Sequence, residues 1–211
     1  MMLALDHLVI AAATLPEGVA HVERLLGVKM SPGGQHVFMG THNAVLRLGH
    51  ECYLEVIAID LNLPAPPRPR WFGLDDPALQ GSLAKSPRLI HWVARTDDIV
   101  TAQALAPDIL GPIVAANRGN LNWKITIPDT GGLPEGGAFP TLIEWSIGEH
   151  IAGKMLDCGC SLVELVVVHS DLDKFRERLT LPAAPRVRFQ QGETIHLSAI
   201  VQTPSGLRKF Y

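Results

Sequence analysis

The stretch LDHLVIAAAT, residues 5–14, begins with a carboxylate and an imidazole and continues as an apolar run. A second stretch, LIHWVART at residues 89–96, also places a histidine near the start of an apolar run. Both runs contain the aliphatic and β-branched residues typical of buried strands. Two histidines in the same setting, His7 and His91, indicate that one structural unit occurs twice in the chain.

A helix-start signal follows each of these strands. Thr14 and Glu17 have the spacing of a capping box, and Pro16 suits a first helical turn. The capping candidates of the second unit are Thr96, Asp97 and Asp98. A third strand-then-helix unit begins at Leu162, with Ser170 as its cap and an apolar face made of Leu172, Phe175 and Leu179.

Short β-rich runs with turn residues between them follow each helix. In the first unit they are HVFMGT, NAVLRLG and CYLEVIAID, with PGG read as a turn, and in the second PIVAAN, LNWKITIPD and PTLIEWSIG. The C-terminal run ETIHLSAIVQTPSGLRKFY reads as a hairpin that turns at TPSG. The pattern predicts an α+β fold, with antiparallel pairing and the helices on one face of the sheet.

The domain organisation follows from these units. We expect a first module over residues 1–62, a Pro-rich linker over 63–87, a second module over 88–150, and a third strand, helix and hairpin unit over 151–211, all within one compact domain. The linker is expected to be stiff and extended. This linker and the Gly-rich stretch TGGLPEGGAF are each either a surface loop or a lid over a site.

Composition narrows the class of partner. The chain is 47% apolar and 18% charged with a net charge of −3, and its Lys and Arg residues are scattered, so nucleic acid is not expected as a partner. No uncharged apolar segment reaches the roughly 18 residues of a membrane helix, and no export signal is read. The three cysteines are read as reduced thiols of a cytoplasmic protein.

Each of the first two units also ends with an acid inside an apolar strand. Glu55 in YLEVIAID and Glu144 in TLIEWS follow the histidine of their unit by 48 and 53 residues. If the units face each other about a pseudo-twofold axis, two imidazoles and two carboxylates converge as ligands for a divalent metal. A metal would offset the several kcal/mol that such a carboxylate loses on burial. The alternative is that each is an ordinary core histidine or solvated acid.

These motifs resemble the vicinal oxygen chelate superfamily, which includes glyoxalase I, extradiol dioxygenases and bleomycin-resistance proteins. The resemblance lies in the LDHLVIAA and LIHWVART openings and in the acids of YLEVI and LIEW. More narrowly, GGQHVFMGTHN, YLEVI, LIEWS and GCSLVELVV resemble the glyoxalase-like domain family of largely uncharacterised bacterial proteins. The resemblance implies paired βαβββ modules that form a curved, mixed or antiparallel sheet around a cleft.

The resemblance also implies a set of site residues. The metal ligands would be His7, Glu55, His91 and Glu144, and the metal would be Ni, Zn, Mn, Fe or Co. The expected substrate-binding residues are His36, Thr41, Asn43 and Arg118. A turn role competes for the first three of these, and a solvated position competes for Arg118. Because Trp92 and Trp145 each follow a ligand, strand alternation would place both on the core face. The third unit has Glu164 in place of a histidine and would extend the sheet or cover an edge.

The activity implied is that of a metal-dependent isomerase or lyase. The metal would chelate two neighbouring oxygens of a small metabolite, while Glu144 or Glu55 moves a proton. One alternative is a ring-cleaving dioxygenase that uses His7, His91 and one Glu. Another is a non-catalytic protein that binds a small molecule in the same cleft. Glutathione is not expected as a cosubstrate, and a homodimer is common among proteins of this resemblance.

Overall fold

A computed structural model describes residues 3–146, 150–178, 184 and 186–211. The α+β fold predicted from the sequence is confirmed. The first module consists of a strand, a helix and three strands: β1 (Leu3–Ala11), α1 (Leu15–Leu26), β2 (Ser31–His36), β3 (Thr41–Arg47) and β4 (Tyr53–Ile59). Helix α1 begins as its sequence predicts, because the Thr14 side chain accepts a hydrogen bond from the backbone N–H of Glu17.

The linker is not the extended excursion that its prolines predict. It contains a 3-10 turn at Trp71–Gly73 and the helix α2 (Pro77–Leu83). Asp76 caps α2 by accepting a hydrogen bond from Ala78, and Pro77 occupies the first turn. An Asp-Pro pair is therefore a helix-start signal here, although it lies in a Pro-rich segment.

The second module repeats the plan of the first with its helix divided in two. Its elements are β5 (Arg88–Thr96), α3 (Ile99–Ala104), α4 (Pro107–Leu110), β6 (Ile113–Arg118), β7 (Leu121–Thr126) and β8 (Thr141–Trp145). Of the three capping candidates, Asp98 is the N-cap of α3. The two modules form one eight-stranded sheet in the order β2-β3-β4-β1-β5-β8-β7-β6, which curves until β2 approaches β6.

The third unit forms a second sheet of four strands in place of an extension of the first. Its elements are β9 (Ser161–His169), α5 (Leu172–Arg178), β10 (Val187–Gln191), β11 (His196–Thr203) and β12 (Gly206–Phe210), with strand order β10-β9-β11-β12. The hairpin at TPSG is confirmed, because Thr203 pairs with Gly206. Strand β10 is not in the sequence prediction, Asp171 makes the capping bond to Lys174 in place of Ser170, and Leu179 lies outside the described residues.

Two apolar clusters lie on opposite faces of the large sheet, as the period of two in its strands requires. Leu8 and Ile10 of β1 belong to the cluster that contacts α1 and the second sheet. Val9 and Ala11 belong to the cluster on the concave face, together with the linker residues Trp71 and Phe72. The concave face is therefore covered by the linker. None of the helices in the described ranges has the length and apolar character needed to span a bilayer.

Two glycine-containing segments have structures that differ from the predicted ones. SPGGQH forms strand β2 rather than a turn, and the expected strand HVFMGT contains a 3-10 turn at Val37–Met39. The TGGLPEGGAF segment packs tightly against the sheet, because a Cβ at Gly137 would lie only 2.5 Å from the carbonyl oxygen of Ile90. Glycine is required at position 137 for close approach and for its φ of +97°.

Candidate active site

A narrow cavity of about 30 Å³ lies on the concave face of the eight-stranded sheet. This is room for about two water molecules. Alternate residues of the strands point into it: Asn43 and Val45 from β3, Tyr53 and Glu55 from β4, Trp123 and Ile125 from β7, and Ile143 and Trp145 from β8. The walls are therefore mostly aromatic and aliphatic, with a small number of polar groups among them.

Asp6 and His7 are neighbours in sequence, yet both reach this side of the sheet. The register between β1 and β5 shifts here, so that Leu5 lies opposite Ala94 and His7 lies opposite Val93. Strand β1 thus has one extra residue, Asp6, which is the geometry of a β-bulge. Without the bulge, strand alternation would send the Asp6 carboxylate to the opposite face.

Asp6 is fully buried and accepts hydrogen bonds from three side chains. The Nδ1 of His7 lies 2.6 Å from Oδ1, while Nε2 of His150 and Nε1 of Trp145 each lie 2.8 Å from Oδ2. Burial alone would raise the pKa of Asp6, but the bonds from His150 and His7 outweigh it and hold the pKa well below its usual range. Asp6 is therefore an ionised acceptor that keeps a proton on His7 Nδ1.

His7 and Glu55 are neighbours in the wall of the cavity. The Nε2 of His7 lies 3.6 Å from Oε2 of Glu55, and both side chains are almost completely buried. The His7 ring also stacks on Tyr53, with ring centroids 4.5 Å apart. The other oxygen of Glu55, Oε1, accepts a hydrogen bond of 2.5 Å from Nδ2 of Asn43. The Glu55 carboxylate is thereby oriented with one oxygen toward His7.

Asn43 connects Glu55 to Arg118 from the other module. The Nη1 of Arg118 donates to Oδ1 of Asn43 at 2.8 Å, and it also lies 3.4 Å from Nε2 of His36. The second nitrogen of His36 lies 3.2 Å from the hydroxyl of Thr41. Burial, and next the charge of Arg118, lower the pKa of His36 to about 3, so this histidine is neutral. The structure thus brings Asn43 and Arg118 to the cavity with His36, whereas Thr41 lies behind His36.

The paired glycines of β2 make this arrangement possible. A Cβ at Gly33 would lie 2.0 Å from Oδ1 of Asn43, and one at Gly34 would lie 2.9 Å from Cδ of Arg118. The backbone N–H of Gly34 donates to the same Oδ1 of Asn43 at 2.9 Å. The glycines therefore leave the space through which the Arg118 side chain reaches the cavity from β6.

His91 is buried beside the site, but both of its ring nitrogens have partners. Nε2 accepts from the backbone N–H of Thr141 at 3.2 Å and lies 2.9 Å from the Thr141 hydroxyl. Nδ1 lies 3.3 Å from the carbonyl oxygen of Gly137, to which it can only donate. These contacts assign a neutral ring, and burial lowers the pKa of His91 to about 3.

Glu144 lies on the opposite face of β8 from the cavity, so its predicted convergence with the other three donors is wrong. Its Oε2 accepts from the backbone N–H of Ile99 at 2.9 Å, at the start of α3, and its Oε1 accepts from Lys124 at 2.7 Å. The hydrogen bond from Lys124 is the largest cause of a lowered pKa for Glu144. Its role here is to stabilise a helix N-terminus.

The strand register shows which residue of the second module corresponds to Glu55. Glu55 lies opposite Val9, two residues after His7, and Thr141 lies opposite Val93, two residues after His91. Thr141 therefore occupies the place of the second carboxylate. Glu144 comes three positions later, and an odd offset along a strand reverses the face.

The two tryptophans that follow the expected ligands lie on opposite faces of the sheet. Trp92 lies in the core as predicted, where its Nε1 donates to the carbonyl oxygen of Ala138. Trp145 was expected in the core as well, but it lines the cavity and donates to Asp6. The cause is again the alternation of side chains along β8, which directs Thr141, Ile143 and Trp145 to the inner face and Glu144 to the outer face.

Linker residues close the cavity from the outside. Trp71 and Phe72 are each 4% exposed and stack with ring centroids 5.4 Å apart. Phe72 also lies 5.4 Å from His91, and its backbone has a φ of 59°, which is uncommon for an aromatic residue. Backbone strain of this kind, of order 1–3 kcal/mol, is found mostly at functional sites.

The divalent metal implied by the resemblance does not fit these side chains. Only His7 and Glu55 of the four expected ligands line the cavity, and His91 would have to give up two hydrogen bonds to bind an ion. Within the described ranges, no group of three or more His, Cys, Asp or Glu side chains is placed to hold a metal. The same contacts of His91 prevent the triad expected for a ring-cleaving dioxygenase.

Sequence reasoning missed the partners of His7 and the cover of the cavity. Asp6 precedes His7 directly, yet only the bulge makes it a partner, and His150 is 144 residues further along the chain. Trp71 lies in a segment that its composition marks as a linker. The one local signal was the unusual Asp-His pair inside an apolar strand.

Comparison with known proteins places these features in a family. The model of a family described as a glyoxalase-like domain matches residues 5–182. A hypothetical protein from Staphylococcus aureus shares 13% identity and a TM-score of 0.60, over 92% of this chain and 88% of that one. This likeness supports the fold alone. Among curated proteins, none matches the chain significantly.

Methylmalonyl-CoA epimerases are also among the similar structures. One, in complex with methylmalonyl-CoA and NH4+, shares 19% identity and a TM-score of 0.46, over 71% of this chain and 99% of that one. Another, from Mycobacterium tuberculosis, shares 18% identity and a TM-score of 0.40, over 67% of this chain and 86% of that one.

Proposed function

The chain belongs to the glyoxalase-like domain family, and we propose that it is an isomerase or lyase that moves a proton on a small oxygen-bearing metabolite. The observation that carries this proposal is the pair His7 and Glu55, whose Nε2 and Oε2 lie 3.6 Å apart in the cavity wall. An approach of about 0.5 Å would bring this imidazole and carboxylate within hydrogen-bond distance, where they can exchange one proton, which suits general acid and base chemistry.

Each neighbour of the pair has a defined part in this proposal. Asp6 holds the proton on Nδ1 of His7, so Nε2 is the nitrogen that faces the cavity. Asn43 binds one oxygen of Glu55 and leaves the other directed toward His7. In a substrate with a C–H bond next to a carbonyl, Oε2 of Glu55 would take the proton, and the electron pair would move to the carbonyl oxygen.

Arg118 is placed to stabilise the resulting enolate oxygen. It lines the cavity and is connected to Glu55 through Asn43. A guanidinium in a site with little water stabilises a developing negative charge strongly. Oε2 of Glu55 would then pass this proton to Nε2 of His7, and His7 would deliver it to the neighbouring carbon, which leaves Glu55 ionised and His7 with its Nδ1 proton alone, as at the start. Of the two predicted bases we retain Glu55, because Glu144 faces away from the cavity.

A binding protein without catalysis is the second candidate. The observation that favours it is the lining, in which tryptophan, tyrosine and aliphatic side chains outnumber the titratable groups. Such a cavity would hold a small molecule by burial of apolar area even without proton transfer. The cytoplasmic location and the homodimer remain predictions from the sequence.

Deuterium exchange separates the two candidates. The protein is incubated in D2O with a panel of 2-oxo acids, 2-oxoaldehydes and 2-hydroxyketones, and loss of the proton next to the carbonyl is followed by NMR. We expect exchange by the wild type, a loss of at least about 100-fold in Glu55→Gln, and unchanged exchange in Glu144→Gln. Tight binding of a panel member without exchange by the wild type would support the binding protein.

A further inference from the structure

Two residues that line the cavity, Trp71 and Arg118, carry donor groups that are not fully matched by the residues that the structure describes, and Arg118 is also the group that would stabilise the enolate oxygen. The first is the indole Nε1 of Trp71. This atom is buried without a hydrogen-bond partner in the described part of the chain, in a side chain that is only 4% exposed. A buried donor without a partner costs about 1–3 kcal/mol, so a bound acceptor at this position would recover that cost.

The second group is the guanidinium of Arg118. Its described contacts are with two neutral side chains, Asn43 and His36, and no carboxylate within the described residues forms an ion pair with it. His36 reinforces this arrangement, because its neutral ring also lies 5.0 Å from the ring of Trp71 in an edge-to-face contact. Arg118 and Trp71 thus both contact the same histidine.

We propose that Trp71 and Arg118 together bind the carboxylate of a small monocarboxylic acid, which is the substrate class of this site. This inference rests on the proposed function, since it names the molecule on which His7 and Glu55 would act. One cation and one neutral donor match the two oxygens and the single charge of a carboxylate. The remaining walls, among them Ile125 and Ile143, accept a short apolar body.

The volume of the cavity sets the size of the acid. Space for about two water molecules is less than the smallest 2-oxo acids occupy, so even an acid of about six non-hydrogen atoms would need the covering side chains to move apart on binding. Larger acids would have to displace Trp71 and Phe72, which are packed against each other and against His91. A short 2-oxo acid satisfies both the size and the C–H chemistry of the proposed reaction.

The test uses pyruvate and its neutral analogue pyruvamide as probes, with binding measured by calorimetry. We expect pyruvate to bind at least about tenfold more tightly than pyruvamide, since a hydrogen bond to a charged group is worth that much or more. Trp71→Phe keeps the ring but removes the donor and should reduce the preference severalfold, and Arg118→Gln should abolish it. Arg188→Gln, which removes an arginine of the second sheet that pairs with Glu164, is the matched control and should leave the preference unchanged.

A readout on the wild-type protein avoids dependence on how the variants fold. Pyruvate should move the indole N–H resonance of Trp71 downfield, and the Trp71→Phe spectrum assigns that resonance. Equal affinity for acid and amide, an unmoved Trp71 signal, or tighter binding of inorganic phosphate than of pyruvate would overturn the inference. Glu55→Gln should still bind pyruvate while losing exchange, so a failure of the proton-transfer proposal is distinguishable from a failure of this one.

Discussion

Thr141 binds Nε2 of His91 through both its backbone N–H and its hydroxyl, at 3.2 and 2.9 Å. The first module has Glu55 at the corresponding place, so the two halves of the sheet have diverged in their chemistry. One half presents an imidazole and a carboxylate to the cavity, while the other holds its imidazole by hydrogen bonds. This asymmetry is the basis of the proposal that the site transfers a proton beside an anion-binding group.

Metal titration tests this asymmetry. We expect chelator-treated protein to show no stoichiometric, micromolar or tighter binding of Ni²⁺, Zn²⁺, Mn²⁺, Fe²⁺ or Co²⁺ by calorimetry, because a metal at His91 would have to break its bonds to Thr141 and Gly137. An ion bound one to one, and lost in both His7→Gln and His91→Gln, would restore the four-ligand prediction.

Replacement of Glu144 by Gln should affect stability and not catalysis. The carboxylate accepts a hydrogen bond from the first N–H of α3, whose N-cap is Asp98, and pairs with the half-exposed Lys124, so loss of its charge should lower the unfolding free energy by about 1 kcal/mol. Because its pKa is lowered in the folded protein, this contribution is present above the ordinary Glu pKa and is lost as the pH falls. Urea unfolding at pH 7 and at pH 3 measures both effects, and a strong loss of deuterium exchange in Glu144→Gln would contradict the proposed role.

Asp6 should be the most sensitive position of the site. His7, His150 and Trp145 all donate hydrogen bonds to Asp6, so the NH2 group of an asparagine at this position would face at least one other donor. We therefore expect Asp6→Asn to lower the free energy of unfolding by about 3 kcal/mol. The contribution of Asp6 is present above its ordinary pKa and disappears as the pH falls below it, because its pKa is lowered by folding. The difference in unfolding free energy between wild type and variant should therefore shrink below about pH 4.

Asp129→Asn is the matched control for that experiment, because Asp129 is exposed. Its unfolding free energy should lie within about 0.5 kcal/mol of the wild type, as for most surface changes. An Asp6→Asn protein as stable as this control would mean that the three hydrogen bonds to Asp6 contribute little.

His36 and His91 should remain neutral across the physiological range. Burial lowers the pKa of each to about 3, so their ring proton resonances should not shift between pH 8 and pH 5. Both histidines gain a proton when the protein unfolds between their ordinary pKa of 6.5 and their folded pKa of about 3. Each should therefore lower the free energy of unfolding by about 1.4 kcal/mol for every unit by which the pH falls through this range. Two-dimensional NMR of the imidazoles checks this, with the exposed His50 as the reference signal. A titration of His91 near pH 6 would argue for a free, ligand-like ring.

The fold was accessible to sequence reasoning because its signals are local. The cap at Thr14, the alternation in YLEVIAI and the hairpin at TPSG each depend on residues a few positions apart. The repeated His-containing strand also identified the two modules and, together with the other motifs, the glyoxalase-like domain family. The Pro-rich linker was the main failure, since the helix at Pro77–Leu83 and the burial of Trp71 depend on what they pack against.

The site was predicted less completely because its contacts span the chain. His7, Glu55, Asn43 and Arg118 do meet, but Glu144 does not join them, since similar spacing in sequence does not preserve the phase of a strand. A shift of one or three residues moves a side chain to the other face. No count along the sequence could show that Thr141, and not Glu144, corresponds to Glu55.

The sequence by itself determined the strand and helix units, their duplication and the presence of His7 and Glu55 in buried strands. Only the tertiary structure decided which groups share the cavity: the bulge at Asp6, the phase of β8, the glycine gap that admits Arg118 and the cover formed by Trp71. The physical reason is one of range. Local backbone preferences and hydrophobic periodicity act over a few residues, whereas hydrogen-bond partners inside a curved sheet are set by register between strands that are far apart in the chain.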